Sequence, residues 1–273
     1  MAMSNLRTLV KKVIPRNLFS AIEPYGHLIE SVIMNVRYGF PGRKLRVIGV
    51  TGTNGKTTTS FMIQRMLHEA GYKVALLTTV ANGVGDDIVP QMEHITTAQA
   101  SVLQRRLREF VKAGVDWVVV ETSSHSLAQY RVWGVPYEIA VMTNVTNDHL
   151  DYHRTFERYL DTKRQLFVLA NKHGLRHGVV NADDPNAQKF VDSIQNHTTY
   201  GLSAGDIRAE SVELNSDHTQ YLAKATDAEY RIRVNIPGEF NVSNSLAAVS
   251  VGRVLGLTGY CCSEVCRRSD ERH

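Results

Sequence analysis

Cysteine is scarce and confined to one place: the 273 residues include only three, Cys261, Cys262 and Cys266, all within the last thirteen positions. A disulfide framework for the body of the fold is thereby excluded. Their C-C-x3-C spacing with His273 matches no usual zinc finger, so an irregular tail is expected there. Long hydrophobic runs are missing too. No stretch of 18 apolar residues occurs, and residues 1–20 alternate charges with short apolar pairs, so neither a membrane span nor a signal peptide is expected. No run of five basic residues and no interleaving of basic with aromatic residues is present, which argues against a nucleic-acid track. The net charge of +4 suits anionic small molecules instead. These absences make a cytoplasmic protein with no nucleic-acid and no membrane partner the expectation. The length allows one large domain or two small ones.

What the chain does have is TGTNGKTTT at residues 51–59, set between an apolar run (45–50, LRVIGV) and a helical pattern. Gly52 and Gly55 let backbone N–H groups turn inward around oxyanions, and the following helix adds the positive end of its dipole. Lys56 supplies a point charge and Thr57 a hydroxyl for Mg2+, so the stretch predicts a site for nucleotide phosphates. A strict Walker A pattern needs Gly at position 50, where Val50 stands, so this is a variant loop.

Periodicity gives the frame. Residues 45–50 read as a buried strand; Ile63, Met66, Leu67 and Ala70 mark a helix closed by Gly71; 73–79 is the next strand. Leu103, Leu107, Phe110 and Val111 mark a second helix, followed by strand 116–120, strand 138–143, helix 155–172 and strand 178–181. This alternation predicts an α/β fold with a mostly parallel, doubly wound sheet. Residues 199–236 change to short alternating segments, a small antiparallel patch, and 241–255 returns to helix. Near the start, Ile29, Val32, Ile33 and Val36 fit an amphipathic helix, expected to pack against the central domain rather than lie on a membrane surface.

Ligands of open parallel sheets bind beyond the carboxyl ends of the strands. That rim collects Lys56, Thr57, Glu121, Asp148 and His149. Glu121, directly after an apolar strand, stands where nucleotide-binding folds place a second Mg2+ ligand, although an ordinary strand-end acid looks the same.

Several segments together resemble the Mur ligases of peptidoglycan synthesis, most of all the muramyl-tripeptide synthetase branch. They are VIGVTGTNGKTTT, ETSSHSLAQYRV (121–132), TNVTNDHLDYH (143–153) with Lys163 ten residues on, VVNADDPNA (179–187) and IPGEFNVSNSLAA (236–248). The resemblance implies an enzyme that uses ATP and Mg2+ to phosphorylate the carboxylate of a UDP-N-acetylmuramoyl dipeptide, whose acyl phosphate an amino acid's amine then attacks. It implies nucleotide binding by Gly52, Thr53, Asn54, Gly55, Lys56, Thr57 and Thr58, with Asn241 and Asn244 behind them. On their own those two asparagines also read as helix-cap residues. Thr57 and Glu121 would hold one Mg2+. His149 would hold a second together with a carbamylated Lys163, with Asp148 orienting either His149 or a metal-bound water, which makes Lys56, His149 and Lys163 the catalytic group. Thr96, Thr97, Ser123, Gln129 and Arg131 match positions that contact the muramyl peptide, and the planar fork of Arg131 suits a carboxylate or phosphate.

The chain departs from the family's pattern at both ends. Residues 1–43 form a helical segment where a UDP-gripping domain is usual, 44–258 is the central ATP-binding domain, and 259–273 is an atypical tail in place of a C-terminal ligase domain. The tail reads like a truncation or a frame shift, and no ligase activity is expected of the chain by itself. Folylpolyglutamate synthases (FPGS), which do without the N-terminal UDP domain, and cyanophycin synthetases, which share the loop, are the alternative, but both match SSHSLAQYR and DHLDYH less well. A non-catalytic nucleotide-binding remnant is the third reading.

Overall fold

The computed structural model describes residues 16–90 and 99–257, with side chains from residue 22 onward. Helix α1 (Arg16–Tyr38) and a 3-10 turn (Pro41–Lys44) lead into β1 (Arg46–Thr51), and α2 (Lys56–Glu69) leaves the far end of that strand. β2 (Val74–Leu77), β3 (Ala81–Val84) and β4 (Asp87–Pro90) follow. Then come α3 (Ala100–Lys112), β5 (Trp117–Glu121), a short α4 (Ser124–Ala128) and β6 (Tyr137–Met142). The chain continues through α5 (Leu150–His153), α6 (Phe156–Ala170), β7 (His177–Asn181), α7 (Ala187–Val191) and β8 (Asn196–Gly201). β9 (Ile207–Leu214), β10 (Thr219–Lys224), β11 (Glu229–Val234) and α8 (Glu239–Val254) complete it.

The strands form one sheet in the order β11-β10-β9-β8-β7-β6-β1-β5-β2-β3-β4. From β2 across to β9 every pairing is parallel, as the strand-helix alternation requires. β1 and β5 are apolar on both faces because both faces are covered. Ile48, Val50, Trp117 and Val119 pack with Ile63, Met66 and Leu67 of α2 and Leu246 of α8, whereas Val47, Val118 and Val120 pack with Leu103 and Leu107 of α3 and Leu160 of α6. Gly49 is needed in β1 because a Cβ there would press on Leu166 and the Tyr137 ring.

The expected antiparallel patch is β9, β10 and β11, continuous with the parallel sheet. A second antiparallel extension, β2-β3-β4, closes the opposite edge. β1 sits between β5 and β6, so the chain leaves it in one direction and later returns on its other side. The crevice beyond β1 is the switch point where such sheets bind ligands.

Helix α1 reverses the expected orientation. Ile29, Ile33 and Val36 point to solvent and only Val32 is half-buried, while His27, Ser31 and Asn35 form the buried stripe. The Ser31 hydroxyl donates to the Tyr130 carbonyl at 2.9 Å, and the Asn35 amide donates to Trp133 O at 3.0 Å. The turn after α4 presents the carbonyls of Tyr130 and Trp133 to the helix, and the small polar stripe gives each a donor from α1 that an apolar stripe could not supply.

Candidate functional site

At the end of β1 the chain enters the loop through Gly52 (φ 152°) and reaches α2 through Gly55 (φ 80°). A Cβ on Gly52 would run into the Thr143 hydroxyl and one on Gly55 into the Asn244 amide, so both glycines are demanded by contact as well as by conformation. The residues leaving β6 hold the loop's shape. Thr53 N–H donates to Asn144 O at 2.8 Å, Asn54 N–H to Asn144 Oδ1 at 2.9 Å, and the Thr143 hydroxyl to Asn54 O at 2.6 Å. The α2 ladder begins at Thr59 N–H to Gly55 O, 2.9 Å, so the N–H groups of Lys56, Thr57 and Thr58 precede it at the positive end of the helix. Such an end attracts anions.

Lys56 Nζ donates to Gly52 O (3.0 Å) and Thr53 O (2.6 Å). Burial lowers its pKa, against the raising pull of Glu121 and Asp148. The Thr57 hydroxyl donates to Glu121 Oε2 at 2.9 Å, and Thr79 reaches the same oxygen through N–H at 3.2 Å and its hydroxyl at 3.3 Å. Adjacent ligands of an octahedral Mg2+ with bonds of 2.0–2.1 Å lie about 2.9 Å apart, so the Thr57 and Glu121 oxygens have the spacing of one edge of such a site.

On α6, Lys163 is 1% exposed, with Nζ donating to Gly52 O at 2.6 Å and standing 4.5 Å from the centre of the Tyr159 ring. Burial, reinforced by the charge of Lys56, pushes its pKa well below that of an ordinary lysine. His149 takes a left-handed backbone (φ 51°), its N–H donating to Asp148 Oδ1 at 2.8 Å and its ring nitrogen 3.5 Å from Asp148 Oδ2. Its ring meets His125 edge-on at 4.9 Å and Tyr159, also edge-on, at 6.4 Å. His153, behind them, shares a hydrogen bond with the Ser124 hydroxyl at 3.0 Å, and burial lowers its pKa to about 4. Among the described residues no group of three or more His, Cys, Asp or Glu side chains is arranged to hold a metal ion.

The segment after β5 carries three further expected residues. Ser123 caps α4, accepting from Ser126 N–H at 3.2 Å; Gln129 is buried with its Oε1 unpartnered among the described residues; Arg131 lies half-buried on the same turn. Asn244 lies against Gly55 and accepts from the Thr59 hydroxyl at 3.3 Å, so it belongs to the loop's wall. Asn241 donates to Pro237 O at 3.0 Å and accepts from Asn244, which keeps it one step back from the loop. Thr96 and Thr97 lie outside the described residues. The sequence reading missed Thr143, Asn144 and Tyr159, whose hydroxyl is 3.1 Å from that of Thr53. The dipeptide Thr143-Asn144, directly after an apolar strand, was the available signal.

Residues 50–252 match the family model of the Mur ligase middle domain, well over half of the chain. The chain belongs to the Mur ligase family. Over 214 residues it is 41% identical to the UDP-N-acetylmuramoyl-L-alanyl-D-glutamate--2,6-diaminopimelate ligase of Clostridium tetani (strain Massachusetts / E88), a match covering 78% of this chain and 43% of the relative. A solved structure of a UDP-N-acetylmuramoyl-L-alanyl-D-glutamate--2,6-diaminopimelate ligase superposes with a TM-score of 0.73 at 31% identity, covering 81% of this chain and 45% of that one. The FPGS-AMPPCP complex shares the fold at a TM-score of 0.70 and 16% identity, covering 89% of this chain and 68% of that one. This Mur ligase chain thus spans about half the length of the curated relatives it matches. In Mur ligase terms, the matched 50–252 segment contains the loop, Glu121, the Asp148–His149 pair, Lys163 and both asparagines of α8.

Proposed function

We propose that residues 44–258 form the ATP-binding core of a ligase that joins an amino acid to a UDP-N-acetylmuramoyl dipeptide in the cytoplasm. The observation that carries this reading is the pairing of Thr57 and Glu121 beside Lys56 at the mouth of α2, the donor set of a Mg2+-nucleotide. The name of the relatives supplies the acceptor, UDP-N-acetylmuramoyl-L-alanyl-D-glutamate, and the incoming amino acid, 2,6-diaminopimelate.

Each residue then has a task. The N–H groups of Lys56, Thr57 and Thr58 hold phosphate oxygens, and Lys56 exchanges its loop carbonyls for them. Thr53 and Asn54, tied to Asn144, fix the loop's curvature, while Asn244 backs Gly55. Thr57 and Glu121 hold Mg2+, which supplies charge neutralisation for phosphoryl transfer. The acceptor's carboxylate oxygen attacks the terminal phosphorus as ADP leaves; the amine nitrogen then attacks the acyl carbon, phosphate departs, and the amine's proton is lost to a base. Ser123, Gln129, Arg131, Thr96 and Thr97 orient the muramyl peptide, and Arg131 pairs with an anionic group on it.

Lys163 is suited to become a carbamate. Burial favours its neutral amine, the form whose nitrogen bonds to the carbon of CO2 with release of one proton. The product carries oxygen ligands that, with His149, suit a second Mg2+. In 13C-bicarbonate the chain should show a carbamate carbon resonance that is missing in Lys163→Met; an identical spectrum for the two would remove this role.

The test of the function is hydroxylamine trapping. Although complete amide ligation is not expected of the chain by itself, its acyl-phosphate half-reaction with ATP, Mg2+ and UDP-N-acetylmuramoyl-L-alanyl-D-glutamate should yield the acceptor's hydroxamate and ADP, and Lys56→Ala should yield neither. ATP binding without any hydroxamate would favour a non-catalytic module, and hydroxamate on a folate instead of the muramyl peptide would favour the FPGS-like alternative.

A further inference from the structure

Helix α1 turns its polar stripe to the protein and its apolar stripe to water. Ile22, Tyr25, Ile29, Ile33 and Val36 are all exposed, with Tyr25 at 61%, Ile29 at 59% and Val36 at 62%. Their spacing of three, four, four and three residues keeps them on one face over about 21 Å of helix. Isolated exposed apolar residues are ordinary, but a continuous stripe rimmed by polar groups marks a contact surface.

Charge identifies the partner. Residues 1–43 contain six basic residues (Arg7, Lys11, Lys12, Arg16, Arg37 and Arg43) and two acids, a net +4, while residues 44–273 contain 25 of each sign. The whole net charge of the chain therefore belongs to the segment that carries the stripe. Both acids are half-buried, and Glu30 is turned toward His27 of the buried stripe and toward Ser101 of α3. Arg37, Arg43 and Lys44, which follow the stripe's carboxyl end, are exposed. A second copy of the chain would bring two +4 segments together. An anionic bilayer surface offers instead both the apolar layer that the stripe needs and the opposite charge.

We propose that α1 is an interfacial helix that seats the protein on an anionic lipid surface, with Ile22, Tyr25, Ile29, Ile33 and Val36 entering the headgroup boundary and the exposed Arg37, Arg43 and Lys44 meeting lipid phosphates. The expectation of no membrane partner rested on the missing apolar span and on a helix packed against the central domain; the polar stripe does that packing, which leaves the apolar face open to a lipid surface. The sheet edges and the phosphate loop are untouched by this contact, so nucleotide binding and lipid binding are separable.

The experiment is co-sedimentation of the full 273-residue chain with vesicles of phosphatidylcholine alone or with 40% phosphatidylglycerol (an experimental choice). Most of the protein should pellet with the anionic vesicles in 0.1 M salt, several-fold less in 0.5 M salt, and little with phosphatidylcholine alone. The double variant Ile29→Glu/Ile33→Glu, changed only at exposed positions, should stay in the supernatant while keeping the wild-type melting temperature and nucleotide binding. Pelleting that the double variant retains would overturn the role of the stripe. A wild-type chain that ignores both vesicle types would overturn the proposal outright. So would a dimer in solution that the variant converts to monomer without any lipid binding, since the stripe would then belong to a second copy.

Discussion

Lys163 and His153 are bases buried where a charge is costly, and each imposes a pH dependence whose sign follows from its displacement. For both groups the folded state holds the proton less tightly than the unfolded state, so stability falls as pH drops from the unfolded toward the folded pKa. For His153 that window runs from the ordinary histidine value of 6.5 down through about 4, and the full effect is on the order of 3 kcal/mol. His153→Gln should flatten the acid limb of a melting-temperature profile between pH 6.5 and 4; an unchanged limb would mean that His153 is not the group that titrates. For Lys163 the cost persists at neutral pH and is relieved as pH climbs toward 10.5. In CO2-free buffer, where Lys163 is a free amine, Lys163→Met should melt a few degrees higher than wild type at pH 7, with the gap closing by pH 10, even though it removes the proposed ligand. Neither burial was readable from composition or spacing. On its own Lys163 is one more lysine on a helix, and only its position after DHLDYH, as the family resemblance reads it, singled it out.

At the scale of elements, the phosphate loop is a joint between three pieces of chain: the end of β1, the exit of β6 and the second turn of α8. Gly55→Ala should therefore fail twice, once through the left-handed backbone, at about 1–2 kcal/mol, and once through the collision with Asn244. Differential scanning calorimetry should show Gly55→Ala/Asn244→Ala recovering the second loss and not the first; no recovery would show that the asparagine does not press on the loop. The loop, the parallel strands and the C-terminal antiparallel patch were legible because apolar runs, glycines and turn residues encode them locally. The β3–β4 hairpin was not, since ANGVGDDIVP (81–90) has too few apolar residues to read as two strands and gains its order by extending the sheet edge. Helix α1 was legible as a helix and misread in orientation. Periodicity reports which residues share a face, whereas the side that meets the protein was decided by the carbonyls of Tyr130 and Trp133, a hundred residues away.

For the whole molecule, strand order is what gathers the site. Lys56, Glu121 and Asn144 lie far apart in the chain, yet Glu121 closes β5 while Lys56 and Asn144 follow its neighbours β1 and β6, all at the strands' carboxyl ends. The alternation of strands and helices predicted such a rim, but not which strands would be neighbours, because pairing order is a property of crossovers and not of any segment. The proposed function rests on that crevice binding a Mg2+-nucleotide. The most direct measurement is calorimetric titration of ATP into the full 273-residue chain, with and without Mg2+, beside Lys56→Ala and Thr57→Val. One saturable site is expected, at least about tenfold weaker in Lys56→Ala, the loss of roughly 1.4 kcal/mol, with its Mg2+ dependence lost in Thr57→Val. Absence of saturable binding, or equal affinity in wild type and Lys56→Ala, would contradict the account.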